Sequence, residues 1–111
     1  MIEEIVFNYL KQKLSVPVYL EIPENAPDEF VVIEKTGSSR TGHLTESTLA
    51  IQSIAESMYQ AMLLNEEVKR AMAAFAEKEE ITKSALNSDY NFTDTRMSRY
   101  RYQAVYDVTH Y

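Results

Sequence analysis

The sequence predicts an α+β fold: a mostly antiparallel β-sheet packed by helices, with the element order α-β-β-β-α-β-β. Apolar residues recur at helical spacing in two separate stretches. Elsewhere they alternate with polar residues, as they do in half-buried strands. The chain has 111 residues, which is enough for one compact domain with one modest core. We therefore expect residues 1–111 to form a single domain in which helices cover a sheet.

The first helix is predicted over residues 2 to about 14, and the first strand over residues 18–22. Pro17 separates them, because the residue before a proline is disfavoured in the α region. In the helix, apolar side chains recur at helical spacing: Ile2, Ile5, Val6, Tyr9 and Leu10. In the strand, Val18, Leu20 and Ile22 alternate with Tyr19 and Glu21.

The second and third strands are joined by the segment that contains both glycines of the chain. Residues 30–33 are apolar on both faces, which predicts a central strand. The connection, residues 36–42, is small and polar and is predicted to be flexible. Residues 43–52 follow as a strand that is rich in Thr and Ser, with Leu49 and Ile51 facing inward near its end.

The second helix is predicted to begin at a capping box formed by Ser53 and Glu56, and to end near Phe75. In a capping box the serine hydroxyl accepts a backbone N–H and the glutamate reaches back. Asn65 interrupts the apolar stripe, so it can instead cap a second helix and produce a break. The stripe comprises Ile54, Met58, Ala61, Val68, Met72 and Phe75.

Two C-terminal strands complete the predicted sheet, with a turn over Thr93–Ser98. On the first strand, alternation places one set of side chains on a common face: Ser84, Leu86, Ser88, Tyr90 and Phe92. On the second, one face carries Tyr100, Tyr102, Ala104, Tyr106 and Val108, and the other carries Arg99, Arg101, Gln103 and Asp107.

The composition excludes several kinds of chemistry. Apolar residues make up 45% and charged residues 25% of the chain, as in globular domains. With no cysteine, disulfides, thiolate metal sites and cysteine nucleophiles are excluded. Two glycines are too few for most phosphate-binding loops. There is neither a basic leader with an apolar segment nor an apolar run of ~20 residues, so we expect no signal peptide, no membrane helix and a cytosolic protein.

The net charge of −6 is unevenly distributed along the chain. Residues 1–80 hold fourteen of the seventeen acidic and seven of the eleven basic residues. Residues 81–111 are near neutral, and six of the twelve aromatic residues lie in the segment 90–111. A negative chain is a poor nucleic-acid ligand, because phosphate neutralisation needs basic surface. The asymmetry suits head-to-tail contacts between identical subunits, although an uneven distribution without any function explains it equally well.

The residue types that commonly carry catalysis or bind metals are not arranged for it. His43 and His110 have hydroxyl neighbours, but no serine lies in a nucleophile-elbow pattern. His43 and Glu46 are three apart on a predicted strand and point to opposite faces. Paired glutamates at 66–67 and 79–80 have no matching ligands. We therefore expect no catalytic residue, no metal site and no cofactor.

A cluster of basic and aromatic residues near the C-terminus raises the possibility of a stacking platform for single-stranded nucleic acid. The residues are Arg96, Arg99, Tyr100, Arg101 and Tyr102. Strand alternation places the tyrosines on one face and Arg99 and Arg101 on the other. This separation favours tyrosines that pack under the helices, with the two arginines facing water or a neighbouring subunit.

Four segments, in this order of elements, resemble the small tail-completion or tail-terminator proteins of long-tailed bacteriophages. The resemblance extends over nearly the whole chain, but none of its motifs marks a chemical site. The segments are Val18-Tyr19-Leu20-Glu21-Ile22-Pro23, Phe30-Val31-Val32-Ile33-Glu34-Lys35-Thr36-Gly37, Ser53-Ile54-Ala55-Glu56 with Ala61, and Arg99-Tyr100-Arg101-Tyr102.

The resemblance implies a structural protein of the virion tail or neck, assembled in the host cytoplasm. Proteins of this group form a homo-hexameric ring that caps the head-proximal end of the tail tube, stops tube polymerisation and joins the head–tail connector. The implied partners are therefore other copies of the chain, the tube protein and the connector or stopper protein, with no membrane. DNA would pass through the acidic ring without specific binding.

The resemblance implies that the glycine-containing loop is a candidate contact, which becomes ordered when it binds the tube or connector. Arg40 would then be the polar residue of the loop that pairs with a carboxylate of the partner. A solvated hairpin tip without a partner explains the loop equally well. The candidate partner and subunit contacts are Gly37, Ser38, Ser39, Arg40, Thr41, Gly42, Arg99 and Arg101.

Three alternatives remain open at this point. One is another phage neck component, such as a head–tail adaptor or stopper. A second is a small single-stranded nucleic-acid-binding module that uses the basic and aromatic cluster. The third is a small enzyme or ligand-binding domain that uses His43 or His110.

Overall fold

The computed structural model describes residues 1–96 and 98–111 and contains two helices packed on one face of a five-stranded sheet. The predicted α+β class and the order of the elements are confirmed. Met97, which belongs to the predicted turn Thr93–Ser98, lies outside the described residues. The elements are α1 (Ile2–Lys13), β1 (Val18–Tyr19), β2 (Phe30–Thr41), β3 (Leu44–Ala55), α2 (Met58–Met72), a 3₁₀ turn (Phe75–Glu77), β4 (Ile81–Asn91) and β5 (Tyr100–His110).

The strand order across the sheet is β1-β2-β3-β5-β4. The short pair β1–β2 is parallel and the other pairs are antiparallel. β3 is the central strand, since it pairs with β2 on one side and β5 on the other along its whole length. None of the described helices is long and apolar enough to cross a bilayer.

The main core lies between α1, α2 and the face of the sheet that they cover, called here the helix face. Strand alternation places Leu49, Ile51, Ala104 and Tyr106 on this face, where all four are buried. A smaller cluster lies on the opposite, open face, where Phe30, Val32 and Ile54 pack together. Residues 30–33 are therefore buried on both sides and lie between β1 and β3, which confirms their predicted central position.

The first strand is shorter than predicted. Only Val18 and Tyr19 pair with β2, and Leu20 and Ile22 are about half exposed. The chain leaves the sheet at Leu20, three residues before Pro23. The rest of the segment crosses toward the start of β2 as a loop over residues 20–29.

The predicted capping box at Ser53 is wrong, because β3 continues through Ala55. Ile54 pairs with Phe30 and is fully buried, so tertiary packing holds this segment as strand. The N-cap of α2 is Ser57, whose Oγ accepts a hydrogen bond from the Gln60 N–H at 3.2 Å. The helix then runs without a break through Asn65 and ends at Met72, while Phe75 lies in the following 3₁₀ turn.

The predicted flexible loop over residues 36–42 is also wrong, because β2 extends to Thr41. The connection to β3 is a two-residue turn, Gly42-His43, closed by the pair Thr41↔Leu44. Gly42 has φ +62°, and a glycine at this first turn position is typical of type II′ hairpins. Residues 37–41 are nevertheless all exposed.

A bulge in β4 changes the predicted face of its C-terminal half. The register to β5 shifts between Leu86 and Ser88, so Asn87 is the extra residue. Ser84 and Leu86 lie opposite core residues of β5, whereas Tyr90 lies opposite Gln103 on the open face. The predicted single face that runs from Ser84 through Phe92 is therefore wrong. The predicted alternation of β5 is confirmed: Ala104, Tyr106 and Val108 are buried on the helix face.

Candidate functional site

The open face of the sheet carries a linked group of side chains, which we call the open-face cluster. It comprises Tyr90, Phe92, Arg101, Gln103 and Gln52. Gln52 donates to Gln103 at 3.0 Å, and Gln103 donates to the Tyr90 hydroxyl at 2.7 Å. Arg101 donates to Gln52 at 3.3 Å and to the Phe92 carbonyl at 3.0 Å. These bonds fix polar side chains from three adjacent strands, β3, β5 and β4, on one surface.

The cluster combines aromatic and cationic surface that is open to solvent. The Arg101 guanidinium lies 4.7 Å from the centre of the Phe92 ring, and Tyr90 packs edge-on against Phe92 at 5.9 Å. Tyr90 and Phe92 remain 40% and 43% exposed. Tyrosine, phenylalanine and arginine are enriched at protein interfaces. The sequence analysis did not place Tyr90 beside Arg101. The Asn87 bulge moves Tyr90 to the open face, and strand alternation alone does not reveal a bulge.

Arg99 lies on the same face but is engaged within the chain. Its guanidinium donates to the backbone carbonyls of Pro27, Ala26 and Asp28, and it sits 5.7 Å from the centre of the Phe30 ring. It therefore ties the loop over residues 20–29 to the start of β5. Its predicted subunit contact stays a prediction, and the same holds for Arg101.

The two tyrosines of the predicted stacking platform lie on the other side of the sheet. Tyr100 and Tyr102 share the helix-face alternation of β5, opposite Arg99 and Arg101, as the sequence predicts. Tyr102 lies beside α2, and Tyr100 lies at the end of the strand and is 42% exposed. A nucleic-acid strand stacked on these tyrosines does not reach the two arginines, so this geometry does not support the platform as predicted.

A groove of about 390 Å³ lies between α2 and the ends of β4 and β5, and we call it the α2 groove. At its base, the amide nitrogen of Asn65 donates to the Asp89 carboxylate at 2.9 Å. Lys69 donates to the same carboxylate at 2.8 Å and pairs with Glu66 at 3.1 Å. The groove is lined by Tyr59, Met62, Leu63, Asn65, Glu66, Asp89 and Tyr102.

The charges of the groove are set by these contacts. The hydrogen bond from Lys69 lowers the pKa of the Asp89 carboxyl, an effect that burial opposes in part and the Asn65 bond supports. The bond to Asp89 likewise raises the pKa of Lys69. Asp89 is therefore an anion and Lys69 a cation at neutral pH. Sequence analysis missed this network because it needs Asp89 on the helix face, a position that the Asn87 bulge determines.

The two histidines lie in different environments. His43 is exposed in the hairpin turn. His110 is buried, with Nε2 at 2.9 Å from the Ser47 hydroxyl and Nδ1 at 3.1 Å from the Tyr111 carbonyl oxygen. Both members of the Ser47–His110 pair are less than a tenth exposed, so the pair is a packed polar contact of the core rather than an accessible nucleophile. Within residues 1–96 and 98–111, no three potential metal ligands cluster.

The hairpin tip carries the remaining candidate contacts and leaves them open to solvent. Arg40 donates from Nε to the Gly42 carbonyl at 3.2 Å, which directs its side chain toward the turn. It forms no ion pair with any residue that the structure describes. Gly37, Ser38, Ser39 and Thr41 are exposed along the free edge of β2. Their contact role stays a prediction.

Comparison of the sequence with protein-family models and with curated proteins finds no match.

Proposed function

We propose that this protein is a structural subunit of a bacteriophage tail, which assembles as a ring at the head-proximal end of the tail tube. The ring ends tube polymerisation and joins the tail to the head connector, without a chemical step. The proposal is supported by the resemblance of four sequence segments to tail-terminator proteins and by an α+β fold of the kind that the resemblance implies.

The observation that carries the proposal is the presence of two different exposed apolar surfaces on opposite sides of one sheet. The open-face cluster presents Tyr90 and Phe92, and α2 presents Met62 and Leu63 on the other side. A ring of identical subunits needs such a pair of unlike surfaces, because each subunit contacts its neighbours through two different patches. Exposed apolar groups rimmed by polar ones are typical of protein interaction sites.

The net charge of −6 is consistent with a channel for DNA. An acidic lining repels the phosphate backbone and so favours passage over binding. An acidic chain is also a weak nucleic-acid ligand in general. The net negative charge therefore favours a tail component through which DNA passes over one that binds DNA.

The test is assembly of phage tails with and without the intact gene. We expect deletion to give tails of abnormal length that do not join heads, and electron microscopy to show a ring of the wild-type protein on tube ends. Tails of normal length that join heads after deletion would contradict the proposal. Rings found on head connectors, and not on tubes, would assign the protein to another neck position.

A surface variant connects this test to the structure. Phe92→Ser removes the main aromatic contact of the open-face cluster, so we expect a folded protein that no longer forms rings on tubes. Tyr111→Ser is the matched control, because Tyr111 is an exposed aromatic residue outside the cluster. Equal ring formation by both variants would show that the open-face cluster is not a subunit contact.

A further inference from the structure

The sheet ends in two edges that carry long unpaired stretches. β1 and β4 are the outermost strands of the described sheet. β1 pairs only with Val31 and Val32, so the described residues of β2 have no outer neighbour from Glu34 to Thr41. β4 has no outer neighbour in the described sheet over Ile81–Asn91. The backbone N–H and C=O groups of such edges can pair with a strand of another chain.

Strand alternation shows which backbone groups point outward on each edge. Val31 donates its N–H away from β3, to the carbonyl oxygen of Pro17. Lys35, four residues later, therefore also directs its N–H and C=O away from β3. At the end of β4, Phe92 donates its N–H toward β5. Asp89, three residues earlier, therefore directs its N–H and C=O away from β5.

The two edges run in opposite directions. β3 is antiparallel to β2, β5 is antiparallel to β3, and β4 is antiparallel to β5, so β4 is antiparallel to β2. Two copies in the same orientation can therefore place β4 of one copy beside β2 of the next as an ordinary antiparallel pair. Because this contact joins two different edges, it is heterologous and can repeat around a ring.

Bulges on the two edges select one alignment. β2 has one extra residue, Thr36, and β4 has one, Asn87. A bulge on only one of two paired strands shifts their register by one residue and so exchanges the faces beyond it. When the two bulges lie opposite one another the shifts cancel, and the faces match on both sides. This alignment pairs residues 35–41 of β2 with residues 83–89 of β4.

The alignment brings opposite charges together on the helix face, since Lys35 of one copy lies opposite Asp89 of the other. The Lys35 ammonium lies 3.4 Å from the Glu3 carboxylate and its side chain remains 34% exposed. The hydrogen bonds that Asp89 accepts from Asn65 and Lys69 both go to Oδ2, and its side chain is 28% exposed. Oδ1 is therefore the atom that accepts Lys35. Opposite charges directly across an antiparallel pair stabilise it.

Pairing of β2 with β2 of another copy is disfavoured by charge. Across the same free length it places Lys35 opposite Arg40, and both are cations on the helix face. Like charges directly opposite one another destabilise a strand pair. The described residues of β4 bring no cation to this face, because Lys83 lies opposite Thr109 on the open face. The β2 edge therefore matches β4 better than it matches itself.

β4 also carries an apolar side chain that the chain itself leaves uncovered. Leu86 lies opposite Tyr106 on the helix face and is 44% exposed, because α2 packs mainly on β3 and β5. In the alignment Leu86 lies opposite Ser38 of the next copy, on the side of its sheet that α1 covers. Burial of this side chain at the contact favours association.

We propose that β4 of one copy of this chain pairs with the free part of β2 of the next copy, so that one antiparallel sheet continues from subunit to subunit. Residues 83–89 and 35–41 form the contact, and Lys35 pairs with Asp89 across it. The inference rests on the proposed ring and names one of its subunit contacts.

Cysteine cross-linking tests the contact with the full chain. The chain has no cysteine, so a variant with one cysteine can form disulfides only between copies. Ser39 and Ala85 lie opposite one another in the alignment, both on the open face. Opposite residues of an antiparallel pair have Cα atoms about 4.5–5.5 Å apart, which suits a disulfide. We expect an oxidised mixture of Ser39→Cys and Ala85→Cys to form covalent dimers on non-reducing gels.

Ser38→Cys mixed with Ala85→Cys is the matched control, because Ser38 lies next to Ser39 but on the helix face. We expect at least about tenfold less covalent dimer in this mixture, since side chains on opposite faces cannot meet the geometry of a disulfide. Both mixtures are measured in solution across a concentration series and on tail tubes. Circular dichroism melting verifies that each variant folds.

The outcomes separate the edge contact from the ring. Dimers formed as readily by Ser39→Cys alone or by Ala85→Cys alone would indicate pairing of like edges and overturn the inference. Rings on tubes without more cross-linking than the control would overturn the edge contact and leave the proposed ring standing. A wild-type protein that is monomeric at all concentrations and forms no rings on tubes would overturn both.

Discussion

Arg99 fixes the loop over residues 20–29 to the sheet. Its guanidinium donates to consecutive backbone carbonyls of Ala26, Pro27 and Asp28 while it lies against the Phe30 ring. A planar group with five donors can satisfy several carbonyls at once, which lysine cannot do in the same geometry. The loop over residues 20–29 therefore depends on a residue more than seventy positions away in the chain.

Replacement of Arg99 should release this loop. We expect Arg99→Ala to lower the free energy of unfolding by about 1–3 kcal/mol, because partly buried carbonyls lose charge-assisted partners. Amide exchange in residues 20–29 should become faster than in the wild type. Arg96→Ala is the matched control, since Arg96 is exposed and, among the described residues, pairs with Asp94 two positions away. Identical exchange in the loop of both variants would contradict this role of Arg99.

The Asp89–Lys69 pair should make stability dependent on pH in a defined direction. The folded-state pKa of Asp89 is lowered, chiefly by the hydrogen bond from Lys69. The stability that the ionised Asp89 contributes to the fold is therefore fully present above the ordinary carboxyl pKa of 3.8. It is lost as the pH falls through the lowered pKa of the folded state. The pKa of Lys69 is raised from 10.5, so its contribution is present below that value and is lost as the pH rises through the folded-state value.

Asp89→Asn tests this window. We expect the variant to lose about 1 kcal/mol of unfolding free energy at pH 7, since the amide keeps an acceptor but not the charge. The difference from the wild type should shrink as the pH falls through the lowered pKa of the Asp89 carboxyl, because the native side chain then also becomes neutral. Glu24→Gln, an exposed acid in the loop, should show no difference at either pH. A constant difference across the pH range would show that charge is not the cause.

At the scale of elements, the sequence predicts the class, order and number of helices and strands, and it fails where tertiary contacts overrule local pattern. Ser53 has the local signature of a helix cap, but Ile54 pairs with Phe30 in the sheet and holds the segment as strand. Ser57, with Gln60 three residues later, carries the same signature and is the N-cap. The local sequence does not distinguish the two serines, because each is followed three residues later by a polar side chain, Glu56 or Gln60.

The candidate site was less predictable than the fold, for one physical reason. A single bulge residue, Asn87, reverses the facing of every later side chain in β4. It places Asp89 beside Lys69 and places Tyr90 beside Gln103. Nothing in the alternation of the sequence marks a bulge, so both the α2 groove and the open-face cluster become visible only in the structure.

The turn between β2 and β3 gives an element-scale prediction, with the two glycines as a matched pair. Gly42 has φ +62°, where a Cβ is strained, so we expect Gly42→Ala to cost about 1–2 kcal/mol of unfolding free energy. Gly37 lies in the strand, and a Cβ there meets no atom within 4 Å. Gly37→Ala should leave stability unchanged or slightly higher, because it restricts the unfolded chain. Equal costs in urea titrations would show that the turn does not require the left-handed conformation.

At the scale of the whole molecule, one core connects nearly all the elements. The main cluster contains Tyr9 and Leu10 of α1, Val68 of α2, Phe75 of the 3₁₀ turn and Val108 of β5. Tyr9 also donates to the Ala71 carbonyl at 2.5 Å, which joins the two helices directly. A chain of this size with a shared core should unfold as one cooperative unit.

Leu10→Ala tests the single core. Leu10 is fully buried between α1 and the sheet, so we expect a loss of about 2–5 kcal/mol from lost burial and the cavity that remains. In urea, helix content followed by circular dichroism and tyrosine fluorescence should shift together to a lower midpoint.

Leu63→Ala is the matched control, measured at concentrations where the chain is monomeric. Leu63 is half exposed, so its truncation should change stability by about 0.5 kcal/mol or less. Two separate transitions in Leu10→Ala would mean that α1 folds on its own core, which would contradict a single domain over residues 1–111.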